Sequence, residues 1–131
     1  MRAIVAPISL IAAAIVPAVG AHAVAPDFSA VHTVAAAKAL VAKGELVPIL
    51  VFPAEFGGPN NAANRAYVTP AAAEIRGALI GTISRMIAEG SLDQMSVNLE
   101  FKGDSRVPAR IHMKAWHSTK KGVFAPTIEV W

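Results

Sequence analysis

The chain reads as an α+β domain, a two-layer sandwich with elements in the order α-β-α-β-β-β. Three observations predict it. Residues 69–90 carry the signature of a capped amphipathic helix. Residues 95–131 hold three segments in which apolar and polar side chains alternate, separated by turn formers. Residues 46–53 are a short apolar run lying between two helical segments. The arrangement that buries all of these is a four-stranded sheet with two helices on one face. Its last three strands form an antiparallel meander, and the first strand can join it in parallel through a right-handed crossover.

The N-terminus has a different character. Met1 and Arg2 make a short positive start, and residues 3–20 are apolar or small apart from Ser9. Ala21-His22-Ala23 has the small-residue spacing of a signal-peptidase site. This order of features predicts a secretory signal peptide cut after Ala23, leaving 24–131 as a single small domain that is periplasmic or secreted. An uncleaved anchor is the rival, since residues 3–26 are uncharged and long enough to span a bilayer. Pro7, Pro17 and the cleavage site favour removal. No later segment is apolar for long enough to span, so no transmembrane segment is expected in the mature chain.

Composition narrows the chemistry. The 131 residues carry 12 Lys and Arg against 9 Asp and Glu, a formal charge of +3, which becomes +2 once Arg2 leaves with the signal. There is no cysteine, which excludes disulfides, thiolate metal sites and a lipid-modified cysteine, so packing alone must stabilise the fold. The aromatic C-terminus, Trp131, is compatible with an outer-membrane barrel strand. Thr127 and Glu129 share its alternating face, however, and a lipid-facing band would not carry them.

Taken in order, Asp27 or Ser29 is predicted to cap a first helix that runs to about Lys43 and stops at Gly44. Its apolar residues Val31, Val34, Leu40 and Val41 make no clean stripe. The run 46–53 suits a strand buried on both faces, yet Pro48 cannot donate to a ladder and belongs at an edge. The two cues agree only if something covers that edge. Residues 54–68 form a long linker rich in turn formers, and a loop of this length is often functional. It carries Glu55, Asn60, Asn61, Asn64, Arg65 and Tyr67.

The central helix opens at Thr69, whose hydroxyl can accept from a free first-turn N–H. Pro70 sits at the first helical position, where its missing N–H costs nothing. Gly90 closes it in the left-handed conformation. Ile75, Leu79, Ile80, Ile83, Met86 and Ile87 recur at helical spacing as one core-facing stripe. Gly77 and Gly81 line the other side, suited to close approach of a helix or partner, or merely tolerated.

Residues 95–102 alternate Met95, Val97, Leu99 and Phe101 with Ser96, Asn98, Glu100 and Lys102. In 107–117 the apolar set is Val107, Ala109, Ile111, Met113 and Ala115. In 123–131 it is Phe124, Ile128 and Val130.

The opposite face of this meander is polar. One permitted register sets Glu100 across from Arg110, and another pairing sets His112 across from Glu129. Such pairs contribute about 0.2–1 kcal/mol each, so a solvated face with paired charges is the plain reading. The sharper reading is a binding face made of Arg110, His112, Lys114, Trp116 and Trp131, helped by Arg65 and Tyr67 from the linker, because tryptophan is enriched at interface hot spots. Catalysis by His112 oriented by Glu129 lacks a visible nucleophile motif.

His32, His112 and His117 form no H-x-x-x-H or H-E-x-x-H spacing, and Gly57-Gly58-Pro59 does not lead directly into a helix as a phosphate cradle would. No metal and no cofactor is expected. Lys102, Arg106, Arg110, Lys114, Lys120 and Lys121 cluster against Asp104 alone, which suits either an anionic surface or protection of strand ends.

The function expected is that of an exported binding module whose partner is an envelope protein or an anionic surface. Nucleic acid is not expected for a translocated chain. A small envelope hydrolase or transferase with its site under the 54–68 loop is the first alternative. A self-associating structural protein is the second.

Overall fold

The computed structural model describes residues 26–131, so the expected signal peptide lies outside the described residues. The α+β class holds: two helices accompany a four-stranded and a two-stranded antiparallel sheet. Among the described residues no helix is long and apolar enough to cross a membrane.

Helix α1 (Val34–Ala42) starts later than expected. Thr33 is its N-cap, with the Ala36 N–H donating to Thr33 Oγ1 at 3.0 Å. Asp27 caps a preceding turn instead, accepting from the Ser29 N–H at 2.9 Å. That turn buries Phe28 and Val31.

Strand β1 (Val47–Leu50) is shorter than the apolar run that contains it, and it does not join the main sheet. It pairs antiparallel with β2 (Arg65–Val68), a strand unrecognised within the expected linker. The edge position of Pro48 explains this. The Val51 N–H donates to the Asn64 carbonyl at 2.7 Å, so odd-numbered residues turn their backbone groups toward β2 and Pro48 turns outward. The linker itself is organised by two 3-10 turns, Ala54–Phe56 and Ala62–Asn64.

Helix α2 (Pro70–Ala88) begins and ends where its caps place it. Thr69 Oγ1 accepts from the Ala72 N–H at 3.2 Å, and the Ser91 N–H reaches back to the Met86 carbonyl at 2.8 Å around left-handed Gly90. Its buried face is narrower than the predicted stripe. Ala72, Ile80 and Ile83 are buried, whereas Ile75 and Ile87 are exposed. The half-buried residues beside that face include Arg76 and Leu79, so the helix is turned to bring the arginine inward and Ile75 outward. Gly77 and Gly81 face open space.

Strands β3 (Gln94–Phe101) and β4 (Pro108–Trp116) pair in the register that opposes Glu100 to Arg110. The last predicted strand appears as β5 (Val123–Phe124) and β6 (Thr127–Glu129), both on β4 in one continuous register. Pro126 interrupts it. The Met113 N–H donates to the Pro126 carbonyl at 3.0 Å, but proline has no N–H to return.

Ala109, Ile111, Met113 and Ala115 of β4 are buried, as their alternation requires. They join Leu46, Val68, Ile83, Val107 and Ile128 in the core, each large aliphatic contributing about 1.5–3 kcal/mol relative to exposure. Helix α2 packs on β6 and β1, α1 packs on β2, and β2 packs on β4.

Candidate functional site

The exposed side of β4 carries Arg110, His112, Lys114 and Trp116 in one row, because successive even-numbered residues of a strand share a face. Arg110 is held by two carboxylates. Its Nε donates to Glu129 Oε1 at 2.8 Å and its Nη1 to Glu100 Oε2 at 3.1 Å. These bonds, that to Glu129 first, hold its pKa above the ordinary value. All three groups are solvent-exposed, so the triad sets side-chain positions more than it stabilises the fold.

His112 does not meet Glu129. The strand register opposes it to Thr127, and its Nδ1 lies 3.1 Å from Thr127 Oγ1, with Nε2 3.6 Å from Glu100. The proposed histidine–Glu129 pair is therefore absent, because the register that satisfies Arg110 takes Glu129.

The two tryptophans separate. Trp116 is half-buried at the far end of β4, with Lys114 Nζ 5.4 Å from its ring centroid. Trp131 bonds through its main-chain N–H to Ala109, near the start of β4. At about 3.3 Å per residue the strand separates these two points by roughly 20 Å. Nor does Trp131 stand free. Its indole N–H donates to the Val107 carbonyl at 3.0 Å, its ring meets Phe28 edge-on at 5.9 Å, and Lys102 Nζ covers it at 4.7 Å. It closes the end of the core rather than joining a binding face.

Other members of the basic cluster are also engaged. Lys102 donates to the Trp131 carbonyl, Lys120 to the Gly90 carbonyl and Arg106 Nε to the His32 carbonyl.

Arg65 and Tyr67 lie elsewhere, on β2, in the wall of an open cleft of about 830 Å³. Leu99 and Phe101 of β3, the turn that follows and the segment around His32 and Val34 complete its lining. Arg106 stands at the rim of the turn. Its main-chain N–H donates to the Val31 carbonyl at 2.7 Å, tying turn and segment together. The Ser105 hydroxyl strengthens this tie from the buried side, donating to the Phe28 carbonyl at 2.8 Å and accepting from the Val107 N–H at 3.1 Å.

Arg65, Arg106 and His32 supply positive or protonatable groups against Asp104 alone. Among the described residues the Arg65 side chain makes a single hydrogen bond, to Asn60 Oδ1 at 3.1 Å, at an exposed position. Val34 and Phe101, two of the few large apolar side chains left exposed, both line this cleft at 47% and 48% exposure. A smaller cavity of about 560 Å³ near Phe28 and Pro70 carries Asp27 and Glu45 and, among the described residues, no cation.

The sequence brings Arg65 and Tyr67 to notice but not His32, Val34 or Phe101 as their companions. Three segments far apart in the chain meet in this cleft, and no spacing rule joins them. Among the described residues no group of three His, Asp or Glu side chains is placed to hold a metal ion.

Comparison with protein-family models, curated proteins and solved structures finds no match.

Proposed function

We propose that this chain is a binding module, acting after export in the periplasm or outside the cell, and that its site is the cleft of Arg65, Tyr67, Phe101 and Arg106. The ligand class is a small anionic amphiphile, with a carboxylate, phosphate or sulfonate head and an apolar body. The observation that carries this reading is the co-location of two arginines, which outnumber the single carboxylate of Asp104, with exposed apolar side chains in one concavity. Sites of this kind combine an apolar lining with a few polar groups that orient the ligand.

Binding is favoured over hydrolysis or group transfer by the state of the cleft's hydroxyls. Ser105 commits its proton to the Phe28 carbonyl and pairs with no histidine. Tyr67 is buried on β2. Neither forms a nucleophile–base pair.

Titration with an aromatic or long-chain carboxylate, followed by backbone chemical shifts, tests this. The carboxylate should perturb residues of β2, the β3–β4 turn and the His32 segment. Its neutral amide should bind at least about tenfold more weakly. Equal binding of acid and amide, or shifts confined to other surfaces, would remove the reading.

The exposed row of β4 supports a second reading, contact with a macromolecular partner in the envelope. Its specific support is Trp116, whose indole N–H has no hydrogen-bond partner among the described residues while Lys114 lies over its ring. Trp116→Ala combined with Arg110→Glu should abolish capture of that partner without unfolding the domain.

A further inference from the structure

Strand β3 is an edge whose outward backbone groups can be assigned. The Val130 N–H donates to the Ala109 carbonyl at 2.8 Å, and the Met113 N–H donates to the Pro126 carbonyl at 3.0 Å. In an antiparallel ladder each residue turns its N–H and C=O to one side, and successive residues alternate. Ala109, Ile111 and Met113 therefore face β6, while Arg110, His112 and Lys114 face β3. Their register partners Glu100, Asn98 and Ser96 face β4 in return. Met95, Val97 and Leu99 are left with N–H and C=O pointing away from the sheet. None of these groups has a hydrogen-bond partner among the described residues.

The outer edge of β1 is blunted, and β5 and β6 are only two and three residues long, whereas β3 is a long edge. Pro48 and the Arg76 side chain occupy the outer edge of β1. Pro126 divides β5 from β6. Between Gln94 and Phe101 there is no proline, lysine or arginine, the residues that usually protect an edge. Met95, Val97 and Leu99 are only half-buried although they belong to the core-facing set.

We propose that β3 pairs antiparallel with β3 of a second copy, about a two-fold axis at Val97, to join the two four-stranded sheets edge to edge. The strand is complementary to itself in this register. The ladder is regular from Gln94 to Glu100 and shifts at Glu100/Phe101, and Val97 is the midpoint of that regular stretch. The axis opposes Val97 to Val97 of the second copy, Met95 to Leu99, Ser96 to Asn98 and Gln94 to Glu100. Apolar residues meet apolar ones on one face and polar meet polar on the other, whereas a one-residue slip would mix them. The single charge in the stretch, Glu100, faces a neutral amide, so no like charges meet. The outward groups of Met95, Val97 and Leu99 then form about six main-chain hydrogen bonds. Leu99 belongs both to this edge and to the cleft wall, whereas Ser96 and Asn98, the positions changed in the test, do not line the cleft.

A charge-swap pair on the solvent face tests it, with the protein expressed from its full sequence and its mass measured by sedimentation over a wide concentration range. In S96E/N98E the new carboxylates lie across from Lys114 and His112 within one chain, which the fold tolerates, but across from each other between copies. In S96E/N98K the same positions oppose unlike charges across the axis. The native protein should approach twice its monomer mass as concentration rises. S96E/N98E should weaken association by about tenfold or more, and S96E/N98K should restore it. A native monomer at every concentration would overturn the proposal, as would equal association of all three proteins.

Discussion

The side-chain amide of Asn64 satisfies both backbone groups of Phe52. Its Oδ1 accepts from the Phe52 N–H at 2.8 Å, and its Nδ2 donates to the Phe52 carbonyl at 3.0 Å. The same Nδ2 reaches the Pro59 carbonyl at 3.0 Å. One asparagine thus continues the β1–β2 ladder beyond its last backbone pair and pins the loop that precedes the cleft wall. Asn64→Leu should cost about 2–3 kcal/mol, the net value of two part-buried hydrogen bonds to Phe52 and an exposed one to Pro59. Asn64→Asp should cost a similar amount, since it turns a carboxylate toward two carbonyls. Urea denaturation of both variants checks this, and native stability in either would show that the loop is held by other contacts.

Gly58 lies under the same loop. A Cβ there would overlap the Phe52 carbonyl group and sit 2.9 Å from the Pro53 carbonyl oxygen. Both neighbours are backbone and cannot swing aside. Gly58→Ala should therefore destabilise by about 1–3 kcal/mol, whereas Gly77→Ala, which faces open space on α2, should stabilise by up to about 1 kcal/mol. Thermal unfolding of the two variants should move in opposite directions.

The Arg76 guanidinium donates to the Leu50 carbonyl, an outward group of β1 that no strand covers. Burial lowers the Arg76 pKa from its ordinary value, and the charge of Glu55 acts the other way. The side chain thus supplies the cover that the apolar run and Pro48 together require. Arg76→Met keeps the packing stem but removes the donor, and should cost about 1–3 kcal/mol. Hydrogen exchange should rise locally in 47–52 and 64–68. A uniform change across the protein would instead point to a global role.

Asp93 ties the end of β4 to the start of β3. Its carboxylate accepts from the Ser118 hydroxyl at 2.6 Å and the Ser118 N–H at 2.7 Å, which hold its pKa below the ordinary 3.8. A group depressed in the folded state binds fewer protons there than in the unfolded chain. Its contribution is therefore complete above that ordinary value and is lost as pH falls through the folded pKa. Stability should decline on acidification through this range, and Asp93→Asn should flatten the decline. An unchanged slope in the variant would assign the acid sensitivity to other carboxylates, of which Asp27, lowered by its bonds from Ser29, is the next to replace.

Local signals were sufficient wherever a segment's neighbours lie within a few residues of it. Thr69, Pro70 and Gly90 bound α2 at both ends, and strict alternation put Glu100 and Arg110 on one face and admitted the register that opposes them. The same alternation identified Arg110, His112, Lys114 and Trp116 as one exposed row. Strand β2 escaped notice because Arg65–Val68 is short and follows a polar stretch. Only its partner β1 makes it a strand, and that pairing rescues the edge position of Pro48.

Sequence alone therefore specified the class, the caps of α2 but not of α1, the face of each long strand and the absence of cysteine chemistry, all consequences of short-range geometry and residue type. Folding chose among contacts that cost little to exchange. Glu129 went to Arg110 instead of His112, and Trp131 turned inward onto Phe28. Ile75 was left outside while Arg76 moved in, and His32, Arg65 and Arg106 came to share one cleft. Each of these depends on which distant segment reaches a given backbone or side-chain group first and satisfies it. That competition is settled by packing in three dimensions, and no periodicity along the chain records it.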